Sequence, residues 1–360
     1  MGAKRYGVRR RSHRFSSARS ALWVSGKPSL IIPSPALKPT FFESNPFMFS
    51  VIIATCNRPD RLVLALESTA SAIAASGEPH HIIVADNGSD RLAKNVVAQF
   101  AGCTSAPVKY VRSAPLSKAA ALNAGIAAAE TDWLAFTDDD CTPTDVWLKE
   151  ADRYAASGGV RLFSGRLQAG PVAFTLPPWL PSGSSELLPW SPAFVDYAPR
   201  EADGVLGEQE RVPFGANIFV QKSVFDDFGG YDEKLWDACG SAALGSEDAE
   251  FAMRVRARGL SIGYCHDALV VHPVYPERVT LSYYLKHIYN FGVREPFFAD
   301  TDETAPYGYL FKCGLSALLK GATARLRGDR VAAMRALMNA TRDWGEIVGW
   351  RRHARQRNAA

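Results

Sequence analysis

From Phe49 onward, apolar and polar residues alternate in blocks. Ser50-Val51-Ile52-Ile53-Ala54 and His81-Ile82-Ile83-Val84-Ala85 are short β-branched runs without the polar alternation of a half-exposed strand. Each therefore predicts a strand covered on both faces. Between them, after Arg58-Pro59-Asp60, the residues Leu62, Leu66, Thr69 and Ile73 recur at helical spacing, and Gly77 supplies a stop. The same alternation continues with a helix over Leu92–Phe100, a strand at Val108–Val111, an alanine-rich helix over Lys118–Ala129 and a strand at Trp133–Phe136. Strands interleaved with such helices predict an α/β fold built on a mostly parallel, doubly wound, Rossmann-like sheet. Ligands of such sheets sit outside the carboxyl ends of the strands. Here those ends carry Thr55, Asp86 and the run Asp138-Asp139-Asp140.

After Pro143 the pattern weakens. Residues 170–213 are rich in proline and tryptophan, including Trp179 and Trp190, and too irregular for a core element. They predict a functional loop or lid, or buried aromatics anchoring a long loop. Helices are expected at Ser223–Phe228 and Glu247–Arg258, a strand at Leu269–His272, and helices with basic faces at Tyr309–Leu319 and Val331–Arg342. No internal repeat is visible.

Composition sharpens this outline. A chain of 360 residues that is 47% hydrophobic and 22% charged is not a disordered one. The net charge of +4 hides three unlike regions. Residues 1–40 hold nine Lys/Arg and no acid, residues 312–360 hold eleven against three acids, and the stretch between is left at −13. The first 47 residues read as a disordered basic arm, or as a non-native extension ahead of a start at Met48. The six cysteines are scattered without a CxxC pair, which fits reduced thiols and a cytoplasmic setting. No apolar run is long enough to span a bilayer. The basic C-terminal region suits peripheral contact with an anionic membrane surface, or is simply a solvated face. An acidic body without a recognisable module argues against a nucleic-acid partner.

Adjacent carboxylates at the end of an apolar strand repel one another unless something offsets them. A hard divalent cation bound through oxygen ligands is one solution, and a solvated acidic turn is the other. Glu247-Asp248 follows Ser246 at a predicted helix start. Acids in a first turn are ordinary capping, yet a carboxylate opening onto a cleft can also serve as a general base. Lys118, at a helix start, is either a surface lysine or a phosphate ligand. His272 ends an apolar strand, where a structural histidine is the common case.

Taken together, residues 50–272 resemble the inverting glycosyltransferases of the GT-A fold, family 2 type. Val51-Ile52-Ile53-Ala54-Thr55-Cys56-Asn57-Arg58 is similar to the family's first strand and nucleotide-contacting turn, and Val84-Ala85-Asp86-Asn87-Gly88-Ser89-Asp90 to its second strand. Ser117-Lys118-Ala119-Ala120-Ala121-Leu122-Asn123-Ala124-Gly125 resembles a Gly-Lys-x-x-Ala-Leu-Asn helix start, and Asp138-Asp139-Asp140 an Asp-x-Asp metal motif. Gly215-Ala216-Asn217, Gly229-Gly230-Tyr231-Asp232-Glu233, Glu247-Asp248 and His272 follow in the family's order.

The resemblance implies a division of roles. Asp86 would receive the nucleotide base, with Ala54, Thr55, Asn57 and Arg58 beside it. Lys118 would approach the diphosphate, and Asp138 and Asp139 the ribose or donor sugar. Asp140, with Asp138 and His272, would hold Mn(II) or Mg(II). Asp248 would be the general base. Glu247, Gly215, Ala216, Asn217 and Trp190 would line the acceptor pocket. The implied reaction moves one sugar from a nucleotide-diphosphate sugar, a UDP-sugar, to a glycan or lipid-linked acceptor in polysaccharide, cell-surface glycan or glycolipid synthesis. Cys56 stands where many relatives carry an aromatic, and Ser117 replaces a glycine. The implied organisation is a glycosyltransferase domain over 48–275, divided at 145/146 into donor and acceptor halves, followed by a basic helical extension over 276–360. A sugar-nucleotide nucleotidyltransferase and a non-catalytic carbohydrate-binding protein are the competing readings. The first lacks its glycine-rich, basic triphosphate signature here, and the second is disfavoured by the joint presence of Asp86, Asp138, Asp140 and Asp248.

Overall fold

The computed structural model describes residues 48–113, 117–177, 179–180, 193–235, 245–298 and 305–358. At its centre lies β1 (Phe49–Thr55), whose seven side chains are all buried. It pairs in parallel with β2 (His81–Asp86) on one side and β4 (Trp133–Asp138) on the other, and β3 (Val108–Arg112) pairs outside β2. Helices α1 (Pro59–Ser76), α2 (Leu92–Ala101) and α3 (Lys118–Ala128) connect these strands. Proline in the first turn of α1 and a left-handed Gly77 after its last residue bound that helix as the sequence predicts. The alanines of α3 are explained by proximity: a Cβ on Gly125 would lie 2.6 Å from Ile52 Cγ2, so only small residues let this helix approach β1.

Beyond β4 the sheet changes character. The chain adds β5 (Thr142–Pro143), α4 (Trp147–Ala156), β6 (Leu162–Ala169), β7 (Gly204–Val205), β8 (Ile218–Gln221), α5 (Lys222–Phe228), α6 (Glu247–Ala257) and β9 (Gly263–His272). The order across the sheet is β3-β2-β1-β4-β8-β6-β9-β5, with β7 also on β9. Pairing is antiparallel at β4/β8, β8/β6, β9/β5 and β7/β9, and parallel at β6/β9. The α/β class is as expected, with the antiparallel pairs confined to this second half. The strand expected at Leu269–His272 begins at Gly263, because a register shift at Gly165/Arg166 lets β6 and β9 keep pairing past an irregular turn. Asn217 mends that irregularity: its amide donates to the carbonyls of Arg166 and Ala268, both at 2.8 Å, and its oxygen accepts from Trp147 Nε1 at 2.8 Å.

Helices α7 (Leu281–Arg294), α8 (Tyr307–Leu326) and α9 (Arg330–Arg357) follow. The last two are longer at both ends than their apolar patterns predict. Cβ atoms on Gly292 and Gly345 would lie 2.1 and 2.2 Å from backbone oxygens of the facing helix, so α7 and α9 touch backbone to backbone. Of the tryptophan-rich segment, Trp179 packs edge-on against Tyr284 of α7 at 5.1 Å, in a second apolar cluster with Leu180, Val279, Ile288 and Met338. Trp179 therefore anchors its loop, as the second of the two sequence readings has it. Trp190 lies outside the described residues.

Candidate active site

Parallel register brings the predicted strand-end residues into one row. Thr55 stands opposite Asp86, and Ala54 opposite Asp138. Asp86 is buried and accepts from Gly88 N at 2.8 Å, Tyr110 Oη at 2.6 Å and Arg112 Nη1 at 2.7 Å. Tyr110 and Arg112 belong to β3 and went unrecognised in the sequence, although Arg112 pairs in register with Asp86. Asn57 is the only non-glycine residue in the left-handed region among those described, at φ 54°. Its side chain accepts from Ser89 N at 2.8 Å and donates to Ser89 Oγ at 3.0 Å, which ties the β1 turn to the β2 turn.

The three adjacent acids point in three directions. Asp139 turns inward, accepting from Thr55 Oγ1 at 2.7 Å and from Arg58 Nη1 at 3.1 Å. Burial, reinforced by Asp140 and Asp138 and opposed by Arg58, pushes its carboxyl up to about 6. Asp138 is bound by Lys118 Nζ at 2.7 Å. Asp140 meets Arg278, Arg61 at 3.5 Å and Arg58 at 3.6 Å, and its Oδ1 lies 4.0 Å from His272 Nε2.

A divalent ion fits Asp140 and His272. Two ligands each about 2.1 Å from a common ion can be at most ~4.2 Å apart, and the carboxylate–imidazole pair falls inside that limit. His272 Nδ1 faces the carbonyl of Pro273 at 3.1 Å, which leaves the Nε2 lone pair toward Asp140 and Arg278. Burial lowers the pKa of His272, keeping it the neutral ligand such an ion requires. Cys141 Sγ lies within 4.8 Å of both ligands, but burial drives that thiol well above its usual range, so it offers a thiol rather than a thiolate. Arg278 occupies the other oxygen of Asp140 and would have to yield to an ion.

Lys118 joins the two halves of the site. Besides Asp138, it reaches Glu247 Oε1 at 3.2 Å, although that buried oxygen has no aligned hydrogen bond. Burial pulls the ammonium down, but Asp138, Glu247 and Asp248 outweigh it and hold Lys118 charged. Asp248, at the head of α6, accepts from Gly215 N at 2.5 Å and Ala249 N at 2.7 Å. Burial and then the neighbouring Glu247 raise its carboxyl to about 6. A Cβ on Gly215 would come within 3.0 Å of Asp248 Cβ, so glycine is what lets this backbone N–H approach the acid. Arg294 of α7, also unseen in the sequence, donates to Ser246 Oγ at 2.7 Å and to the Gly245 carbonyl at 3.1 Å, fixing the turn before Glu247. Asn123 of α3 clamps the Gly229–Glu233 loop through Tyr231 N and O, both at 2.9 Å, and Glu233 at 2.7 Å.

Thus Thr55, Arg58, Asp86, Lys118, Asp138, Asp139, Asp140, Glu247, Asp248 and His272 form two linked clusters at the strand ends. Ala54 and Ala216 are buried beside them, and Asn217 points inward with its amide occupied by the sheet repair, leaving Gly215 as the member of that trio in contact with Asp248.

The family model for Glycosyl transferase family 2 matches residues 50–228. The chain is 26% identical over 231 residues to glycosyltransferase AglE of Haloferax volcanii, covering 64% of this chain and 68% of that protein. It is 25% identical over 246 residues to the succinoglycan biosynthesis protein ExoM of Rhizobium meliloti, covering 67% and 71%. Among solved structures, S. aureus TarS 1–349 superposes with a TM-score of 0.49 at 13% identity, over 85% of this chain and 92% of that one. With the strand-end carboxylates, the Lys118 link and the acid-headed helix already in place, the family model and the two curated relatives identify the chain as a glycosyltransferase whose residues 50–228 form a glycosyl transferase family 2 domain.

Proposed function

We propose that the enzyme transfers one sugar from a nucleotide-diphosphate sugar, a UDP-sugar, to a hydroxyl of a glycan or lipid-linked acceptor, with inversion at the anomeric carbon. The observation that carries this reading is the position of Lys118, which spans Asp138 at the nucleotide edge of the sheet and Glu247 beside Asp248. One cation thereby joins a donor-side carboxylate to the pair that would face an acceptor. Asp248 takes the acceptor proton as the hydroxyl attacks: its two backbone N–H donors orient it, and its raised pKa suits a base working near neutrality. Glu247 Oε1, buried and lacking an aligned donor, is available to an acceptor hydroxyl. Attack from the side opposite the leaving diphosphate needs no covalent intermediate on the protein. Asp86 and Thr55 receive the base and ribose side of the nucleotide, and Arg58, Arg61 and Arg278 receive its diphosphate oxygens.

Asp140 and His272, with Asp138 alongside, would hold Mn(II) or Mg(II), which when bound offsets charge on the departing diphosphate. Residues 48–275 carry the reacting groups, completed by Arg278 and Arg294 from the helical extension, and the reaction takes place at the cytoplasmic face of a membrane in polysaccharide, cell-surface glycan or glycolipid synthesis. A thermal-shift panel of nucleotide sugars with each metal tests the reading. A donor at a hundred times its dissociation constant adds about 2.7 kcal/mol of stability. Proton NMR of the product, read for the opposite anomer to the donor, tests inversion. A panel in which no diphosphate sugar stabilises the protein sinks the proposal.

A further inference from the structure

Helix α8 is apolar on the side that faces away from the protein. Leu310 is its only fully buried residue, yet Phe311, Leu315, Leu318, Leu319 and Leu326 are each at least half exposed, Leu326 at 88%. Their spacing by threes and fours lays them along one stripe, about 22 Å from end to end at helical rise. Trp344 of α9, 56% exposed, extends the stripe into a groove of about 310 Å³ between the two helices, lined also by Leu337 and Ile347. A helix apolar on both its inner and outer faces is ordinarily a covered one, and an exposed apolar patch of this kind marks a surface that meets a partner.

The charge around the stripe selects the partner. Lys312 flanks it on one side and Arg325 on the other, and Lys320, Arg327 and Arg330 are exposed elsewhere in the same layer. The acids are outnumbered here, three against eleven Lys/Arg over residues 312–360: Asp329 caps α9 through Ala332 N at 2.9 Å, Asp343 is buried and Glu346 is half-buried. A second copy of the same face would bring like charge against like. Nucleic acid would match the cations but leave the stripe in water. An anionic bilayer accommodates both, with acyl chains for the leucines and headgroup phosphates for the lysines and arginines.

The geometry points to α8 as an in-plane docking surface for an anionic lipid bilayer, its stripe at the acyl boundary and its flanking cations among the headgroups. No described helix is long and apolar enough to cross, so the contact is one of lying on the membrane. This rests on the membrane-facing reading of the basic C-terminal region, and not on the transfer reaction. Helix α9 links the docked surface to α7, whose Arg294 holds the turn before Asp248.

Flotation of the full chain with vesicles tests it. Vesicles of phosphatidylcholine containing phosphatidylglycerol should carry the protein up the gradient, with binding weakened by salt, and phosphatidylcholine alone should not. Replacing exposed residues in the double variant Phe311→Ser/Leu315→Ser should cut vesicle affinity more than about tenfold. Lys312→Gln/Arg325→Gln should cut it about fivefold per charge removed. Circular dichroism and any nucleotide-induced thermal shift should be unchanged in both. Absence of anionic-vesicle binding, unchanged binding by the double variant, or a dimer in ultracentrifugation that this variant dissolves would each overturn the docking surface. Vesicle binding that persists in a protein that no nucleotide sugar stabilises would instead sink the transfer reading and leave this one standing.

Discussion

At the carboxyl ends of β1, β2 and β4, each carboxylate has a cation or a donor within reach: Arg112 on Asp86, Lys118 on Asp138, Arg58 on Asp139, Arg278 on Asp140. The α8 surface is the reverse, with cations in excess and apolar side chains left in water. The first region is complete in itself until a ligand displaces something, and the second is incomplete until a partner arrives. Within the site a finer contrast separates the strand-end row, organised by residues adjacent in strand register, from the Asp248 turn, held by Gly215 and Arg294 from distant parts of the chain.

The largest effect that would sharpen this contrast is expected from Asp248→Asn. The amide cannot take a proton, so transfer should fall by about 10³-fold while donor binding measured by calorimetry stays within a few-fold. Full transfer activity in this variant would remove Asp248 from its role. The wild-type rate should also depend on pH in a definite direction. Because the Asp248 carboxyl is raised to about 6, it is protonated and inactive below that pH, so kcat/KM should climb with pH through about 6 and level above it. An acid limb centred near the ordinary carboxylate pKa would contradict that assignment.

Lys118→Met tests whether the two regions of the site share one cation. It leaves Asp138 and Glu247 facing each other without it, and should weaken donor binding and slow transfer together, each by about tenfold or more. A purely donor-side lysine would affect binding alone. Arg294→Met frees the Gly245–Ser246 turn and should lower kcat by about tenfold with donor affinity unchanged, the signature of an effect confined to the base side. The smallest change is expected from Gly345→Ala, whose methyl would press on the Tyr289 carbonyl. It should cost about 1–3 kcal/mol in denaturant unfolding and leave the strand-end chemistry intact.

The parallel half was readable because a strand covered on both faces must be a continuous apolar run, and β1, β2 and β4 are such runs. Their last residues then follow from topology alone. The antiparallel half carries weaker signals: β8 is four residues long, and β9 contains His266 and Asp267 where the pairing slips, so no periodicity accumulates. Tyr110 and Arg112 could have been found by asking what stands at the end of the strand next to Asp86. Arg278 and Arg294 could not, since nothing local distinguishes an arginine that reaches Asp140, 138 residues away in sequence, from one that faces solvent. Asn217 teaches the same limit from the other side. A residue quoted for the acceptor pocket proves to be spent on a slipped strand pair, a demand invisible before the pairing is known.

The grip of Arg294 on the turn before Glu247 bears on how this protein can be divided. The stretch that matches the family model stops at Phe228, short of Asp248, and the arginine that steadies Asp248 comes later still. A fragment trimmed to the matched stretch would retain the strand ends and lose Asp248, and one trimmed after His272 would retain Asp248 on an unbraced turn. Chimeras that exchange donor preference should therefore be joined upstream of Gly215, so that the segment from there through α9 travels as one inherited piece.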